Sequence, residues 1–514
     1  MVFTPQTEEK PSGAAVQARR EATGGGVDAP PSHPGPPPAP IEDRERHHGL
    51  VFAEIAVAVV GFAALCVLVL TKASQFLEPD DYAYQASIVA LSHGHLTLTT
   101  AQYDALSRSL GDGGRSIIQW THLANGNWIS EKNPGYPFFA VIFSMLGIFR
   151  LAPLFYGGLA CIGLFFGARK WLGRYGGTFA VLLFCTSGAA ITFAWRATMP
   201  SFTDASLVAA GAGALLWAML AADASQRRRL VVGLAAFVAF AGATFIRYTD
   251  VVEILVAAAA VVVFAKRAGL TWRTVASWLS VVAIAGAGIL TFNGLIYGSP
   301  LSTGYSAGEI TFSLSAIVPN FEQLPGSLLV AMPMAVLALV AAGWIGIHRF
   351  RHGGVTNTTT PAVFDGRQQR HHDALVAGVL AGGWAAIWLL YSAYTWTVGQ
   401  VSASSVHVVR FYLPALGLIA LLGAWTLVRM PRVVSAPAVI AIAVAGVLSF
   451  QSLASAGPPG FGGPGGGPGV YGFRPPAGGA PGVPGGGPPG LPGVNGGSPG
   501  GFLPPASGSG SGLP

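Results

Sequence analysis

Two adjacent carboxylates, Asp80 and Asp81, follow a proline and precede two aromatics in Pro79-Asp80-Asp81-Tyr82-Ala83-Tyr84. Neighbouring carboxylates repel each other, which raises the pKa of one and suits it to general-base work. The same residues also suit a helix start, where acids meet the free N–H groups and the positive end of the dipole. Further along the same polar stretch, Ile129-Ser130-Glu131-Lys132-Asn133-Pro134-Gly135 sets an acid beside a cation. Asp204 opens an apolar run within Pro200-Ser201-Phe202-Thr203-Asp204. Acids from two such loops, brought together, would bind one divalent cation (Mg, Mn or Ca) through oxygen ligands. His407 and Arg410 lie three apart and face one side of a helix start. A guanidinium there is a bidentate partner for phosphate; beside Phe411 and Tyr412 it also suits an interfacial anchor. Asp250 and Glu253 read as helix-end charges that pair with Arg247. Ser92-His93-Gly94-His95 reads as a helix end with Gly94 as the stop rather than a metal pair. The density of Gly and Pro from Asn293 through Tyr297 to Tyr305 predicts tight turns over a loop.

These residues need a frame. The chain has 514 residues, of which 52% are hydrophobic and only 10% charged. Soluble domains carry roughly 25% charge, so the solvent for this surface is lipid. A helix needs about 20 apolar residues to cross a bilayer. Crossings are predicted near 49–71, 137–168, 178–193, 204–222, 230–247, 250–265, 275–297, 327–347, 374–394, 411–428 and 433–453, about eleven in all. The second is long and interrupted by Arg150 and Pro153, which suits two short helices of which one fails to span. The net charge of +7 lies in short clusters between the runs, around Arg169-Lys170, Arg227-Arg228-Arg229, Lys266-Arg267, Arg349 to Arg351 and Arg429 with Arg432. That pattern follows the positive-inside rule and does not suggest nucleic-acid binding. If every cluster is cytoplasmic, one crossing lies between 137 and 168, the N-terminus is inside, and the loops with the candidate residues are extracytoplasmic. The first of these loops, 72–136, is expected to be helical. Residues 1–48 and the Gly/Pro-rich 454–514 are expected to be disordered on opposite sides, flanking a membrane domain at 49–453. Cys66, Cys161 and Cys185 sit inside apolar runs and show neither a disulfide framework nor a metal spacing.

Taken together, these motifs resemble the GT-C superfamily of membrane glycosyltransferases, in its protein O-mannosyltransferase and aminoarabinose-transferase branch. Asp80-Asp81-Tyr82-Ala83-Tyr84 is similar to the branch's acidic pair with a following aromatic, although Asp81 stands where Glu is common. Glu131-Lys132-Asn133-Pro134-Gly135 resembles its Glu-Lys-x-Pro element, with Asn133 where Pro is common. Asp204 matches an aspartate that opens a helix after the second outer loop. Asn293 to Tyr305 and Arg410-Phe411-Tyr412-Leu413-Pro414 resemble two later stretches. The resemblance covers roughly residues 50–450. It implies inverting transfer of a sugar, mannose or arabinose, from a polyprenyl-phosphate carrier to a hydroxyl on an envelope glycan, lipid or protein. In that reading Asp80 is the base and Asp81 tunes it. Lys132, Arg410 and His407 meet the phosphate with a metal held by Glu131 and Asp204, and the loop bearing Tyr297 and Tyr305 closes over the acceptor. A transporter and a non-catalytic scaffold are the rival classes. The first should show an internal repeat and polar residues within broken helices.

Overall fold

Long apolar runs leave the backbone no partner in lipid except itself, so they form helices. The structure is a computed structural model that describes residues 41–72, 79–110, 119–305, 310–351, 366–398 and 406–455. The expectations for residues 1–40 and 456–514 lie outside the described residues.

The chain opens with α1 (Ile41–Leu70), followed by α2 (Pro79–Ser92) and α3 (Thr100–Leu110). A hairpin of β1 (Trp120–His122) and β2 (Trp128–Ser130) comes next, in register Trp120 with Ser130 and His122 with Trp128. The first loop is therefore not wholly helical, as the sequence had suggested. Trp and Ile favour a pleated surface, and Asn125-Gly126 supplies the turn. Gly126 takes φ +85°, and the Asn125 side chain accepts from the Asn127 N–H at 3.0 Å.

The membrane domain proper runs through α4 (Gly135–Met145), α5 (Ala152–Leu172), α6 (Gly176–Cys185), α7 (Gly188–Trp195), α8 (Ser201–Leu220), α9 (Gln226–Ile246) and α10 (Val251–Phe264). It continues with α11 (Trp272–Tyr297), α12 (Ile317–Ala331), α13 (Ala335–Arg351) and α14 (Gly366–Ser392). The last helices are α15 (Val406–Tyr412), α16 (Leu416–Arg429) and α17 (Arg432–Ser455). Among the described residues, eight helical segments are long and apolar enough to cross a membrane, and two bent pairs bring the number to ten. This is a multi-pass, almost entirely helical membrane protein, but the count of eleven is not reproduced. The expected crossing that falls short of this length is α10: its 14 residues reach only about 21 Å against a hydrocarbon core of about 30 Å. Between 137 and 168 a single segment is long enough, Phe149–Leu172, because α4 has only 11 residues. The crossing expected at 178–193 is bent by 55° between α6 and α7. That expected at 327–347 turns by 116° between α12 and α13, where Pro333 supplies no backbone N–H.

At the centre, α5 and α8 approach through small residues. A Cβ on Gly167 would lie 2.3 Å from the Gly213 carbonyl oxygen, so only glycine permits the contact. One end of the bundle collects the basic loops. Lys170 meets Asp223 at 2.5 Å, Gln226 donates to the Gly269 carbonyl at 3.0 Å, Arg229 donates to the Ala268 carbonyl at 2.6 Å, and Arg429 meets Asp373 at 2.8 Å. Arg169 pairs with the buried Glu54 at that same end.

Candidate active site

The opposite end carries the residues with chemistry. Successive residues on a helix point about 100° apart, so Asp80 and Asp81 in the first turn of α2 diverge. Asp81 is fully buried, accepting from Arg196 at 2.6 Å and from the Thr198 hydroxyl at 2.6 Å. It ties α2 to the connection between α7 and α8. The expectation that Asp81 is catalytic beside Asp80 is corrected by this placement: Asp81 is buried on Arg196 and Thr198, whereas Asp80 meets Lys132 and Arg410.

Asp80 faces a cavity of about 420 Å³. Its two oxygens meet Lys132 Nζ at 3.1 Å and an Arg410 guanidinium nitrogen at 2.9 Å. Burial pushes the carboxyl upward, but Lys132 and Arg410 outweigh it and hold Asp80 well below the usual carboxylate range. Repulsion between the adjacent aspartates therefore does not raise Asp80, as the sequence had suggested; the flanking cations win.

Local structure explains how the two cations arrive. The hairpin ends in Ser130-Glu131-Lys132, where the Lys132 N–H donates to the Ser130 hydroxyl at 3.2 Å. Asn133 then donates to the Ile246 carbonyl at 3.3 Å. Gly135 seats against the same helix end: a Cβ there would lie 2.4 Å from the Phe245 carbonyl. The whole Glu-Lys-Asn-Pro-Gly element is thus a clamp onto the end of α9. The Lys132 ammonium lies 5.0 Å from the centre of the Tyr305 ring. Arg410 comes from α15, with Pro414 just beyond at the break into α16. Its guanidinium stacks on Phe411 at 4.8 Å and on Trp396 at 5.7 Å. Asn320 holds the Trp396 segment by donating to the Ser392 carbonyl at 2.7 Å and to the Thr397 hydroxyl at 2.9 Å.

A third cation, Arg247, lines the same cavity. It donates to the Arg410 carbonyl at 2.9 Å and to the Ser201 hydroxyl at 2.7 Å, and its Nε lies 3.2 Å from Asp204. The pairing expected with Asp250 and Glu253 is replaced by this one. Asp250 instead sits against Asp204; burial and that neighbouring carboxylate push it well above the usual range. Asp204 therefore anchors Arg247 from behind. Gln119 was also unforeseen. It lines the cavity in the left-handed region at φ +69°, and its carbonyl accepts from the Glu131 N–H at 2.9 Å.

Of the expected site residues, the fold brings together Asp80, Lys132, Arg410 and Tyr305. Tyr297 lines a neighbouring cavity. The His407 side chain and residues 306–309 of the loop after Tyr297 lie outside the described residues. Among the described residues there is no group of three or more His, Cys, Asp or Glu placed to hold a metal. Of the two residues expected to hold a metal, Asp204 meets Arg247 at 3.2 Å, and the Glu131 backbone N–H donates to the Gln119 carbonyl at 2.9 Å.

No protein-family model matches the sequence, and no curated protein matches it. Solved structures with a similar fold include ArnT from Cupriavidus metallidurans in the apo state, at 14% identity and TM-score 0.47, over 79% of this chain and 76% of that one. The same protein bound to undecaprenyl phosphate gives 16% identity and TM-score 0.41, over 79% and 71%. The Archaeoglobus fulgidus oligosaccharyltransferase in the apo form gives 12% and 0.44, over 79% and 57%.

Proposed function

We propose that this protein is a glycosyltransferase that moves a sugar from a polyprenyl-phosphate carrier to an acceptor hydroxyl, with inversion, at the cavity bearing Asp80. The observation that carries the reading is a carboxylate held between Lys132 and Arg410, with Arg247 on the same wall. Without donor, the two cations neutralise Asp80. The donor's phosphodiester brings a second anion into the cavity that competes for these cations, and a guanidinium grips it with two parallel hydrogen bonds. Asp80 is then released from both partners and its proton affinity rises.

In the transfer step, the acceptor oxygen forms the new bond to the anomeric carbon on the face away from phosphate. The old carbon–oxygen bond breaks with its electron pair on the phosphate, and the acceptor proton goes to Asp80. Lys132, Arg410 and Arg247 are fixed in place to meet the charge that grows on the leaving phosphate. The reading is tested by incubating purified protein with several radiolabelled polyprenyl-phosphate sugars and an envelope extract. Transfer from at least one donor is expected, and it should fall by at least about 10²-fold in Asp80→Asn at unchanged expression and melting temperature. Transfer undiminished in that variant removes Asp80 from the chemistry.

A further inference from the structure

The segment Thr303-Gly304-Tyr305 has a second side. A second cavity, of about 780 Å³, opens between the β1–β2 hairpin and the turns that follow α11. It shares Thr303, Tyr305 and Ile310 with the cavity that holds Asp80. The partition is thin. Gly304 rests on the backbone of Glu131, where a Cβ would lie 2.6 Å from the Glu131 Cα, and Tyr305 is the ring beneath which Lys132 sits.

The two linings differ in chemistry. The first holds one carboxylate and three cations. The second offers hydroxyls from Thr121 and Ser302, the Asn125 amide, the His122 imidazole and the Tyr297 phenol. Its described lining includes no Asp, Glu, Lys or Arg. Leu123, Leu295 and Leu301 supply apolar surface between these groups. Neutral donors and acceptors interleaved with apolar and aromatic faces match a polyol, whose hydroxyls hydrogen-bond while its C–H faces pack. A charged acceptor would meet no Asp, Glu, Lys or Arg among the described lining residues and would lose solvation with little return.

We infer that this second cavity is the acceptor subsite and that its ligand is an uncharged saccharide chain. The inference rests on the transferase reading for the word acceptor; the site itself is defined by its lining. The acceptor would lie along the hairpin, with Tyr305 as the wall between it and the reacting phosphate.

Saturation-transfer NMR on the full-length protein tests this, with mannotetraose, arabinotetraose and tetragalacturonate as probes and undecaprenyl phosphate binding measured in parallel. At least one neutral tetrasaccharide should receive saturation, and tetragalacturonate should not. Ser302→Trp and Thr121→Trp fill the cavity from opposite walls. Each should weaken the neutral ligand by at least about tenfold while undecaprenyl phosphate affinity stays within about twofold, which also reports that the variant is folded. Silence from both neutral probes, equal binding of the acidic one, or wild-type saccharide binding in both folded variants overturns the subsite. Failure of the wild type to bind undecaprenyl phosphate would instead strike the transferase reading, leaving the saccharide result to be judged alone.

Discussion

At the residue scale, the site is an ion cluster of Asp80 with Lys132 and Arg410, and on the proposed function single substitutions report on its balance. Arg410 contributes a stacked, buried guanidinium to Asp80. Arg410→Ala should weaken undecaprenyl phosphate binding by about 10²-fold, the worth of a charged hydrogen-bonded contact of about 3 kcal/mol. Arg410→Lys should recover only part of this, because an ammonium cannot reproduce the fork. Equal affinity in wild type and Arg410→Ala, by titration calorimetry, would take the residue out of the phosphate site. The same variant makes a pH prediction. Lys132 and Arg410 hold Asp80 below its ordinary 3.8, so in the free enzyme the base stays ionised throughout the neutral range. Removing one cation lets burial pull the pKa upward, and a base that must be ionised then fails at higher pH. The acid limb of kcat/KM should therefore move to higher pH in Arg410→Ala; an unmoved limb would show that Arg410 does not tune Asp80. These charges were legible in the sequence because each stands at the margin of an apolar run, where an ion is costly without a role. The partner of Asp81 was also within reach: Arg196 lies amid Ala194-Trp195 and Ala197, and a buried guanidinium demands a buried acid. Gln119 was not, since nothing in its neighbours marks a positive φ.

At the element scale, positions are set by short pieces that periodicity cannot show. The strands of the hairpin have three residues each, too few to reveal alternation, yet they deliver Lys132. The bends between α6 and α7 and between α12 and α13 were read as single crossings because hydropathy is blind to direction. Ser187 at the first bend donates to the Ala331 carbonyl beside the second, at 3.1 Å, so the two breaks support one another. The Asn-Pro-Gly turn was legible as a motif, but its task as a clamp on α9 was not, because the contact lies far along the chain. Gly135→Ala tests the clamp. Its Cβ would fall 2.4 Å from the backbone of Phe245, so α4 or α9 must move. A loss of about 1–3 kcal/mol is expected, seen as a lower melting temperature, together with reduced donor affinity as Lys132 shifts from Asp80. Wild-type stability and affinity in this variant would show that the approach is not constrained.

At the scale of the whole molecule, two chemically distinct ends follow from the way the bundle sorts its loops. Basic residues that are far apart in sequence meet at one end, where Lys170 joins Asp223, Arg229 the Ala268 carbonyl and Arg429 Asp373. The Asp80 cavity, the hairpin and the turns after α11 occupy the other. A transporter would place its ionisable groups where helices break within the membrane; here the two bent pairs break at Thr186-Ser187 and Met332-Pro333-Met334, and the cavity's charges sit at an end. That distribution suits a reaction between a membrane-borne donor and an acceptor arriving from one side. The positive-inside rule predicts which side: short loops rich in Lys and Arg favour the cytoplasm, which puts the Asp80 cavity outside. The sequence carries this expectation through charge parity, and α10 keeps its place in that parity: its 14 residues fall short of a full span, yet it joins Arg247 at the Asp80 end to Ala268 at the basic end. Cysteine labelling checks it at two exposed positions, Asn125→Cys on the hairpin and Arg228→Cys at the basic end. Cys161 and Cys185 are buried and Cys66 is half-buried, so the unsubstituted protein supplies the background. In intact cells a membrane-impermeant maleimide should label Asn125→Cys and spare Arg228→Cys, which should react only after lysis. The reverse pattern would place the Asp80 cavity in the cytoplasm. Labelling of both before lysis would mean that the two ends do not lie on opposite sides of one membrane.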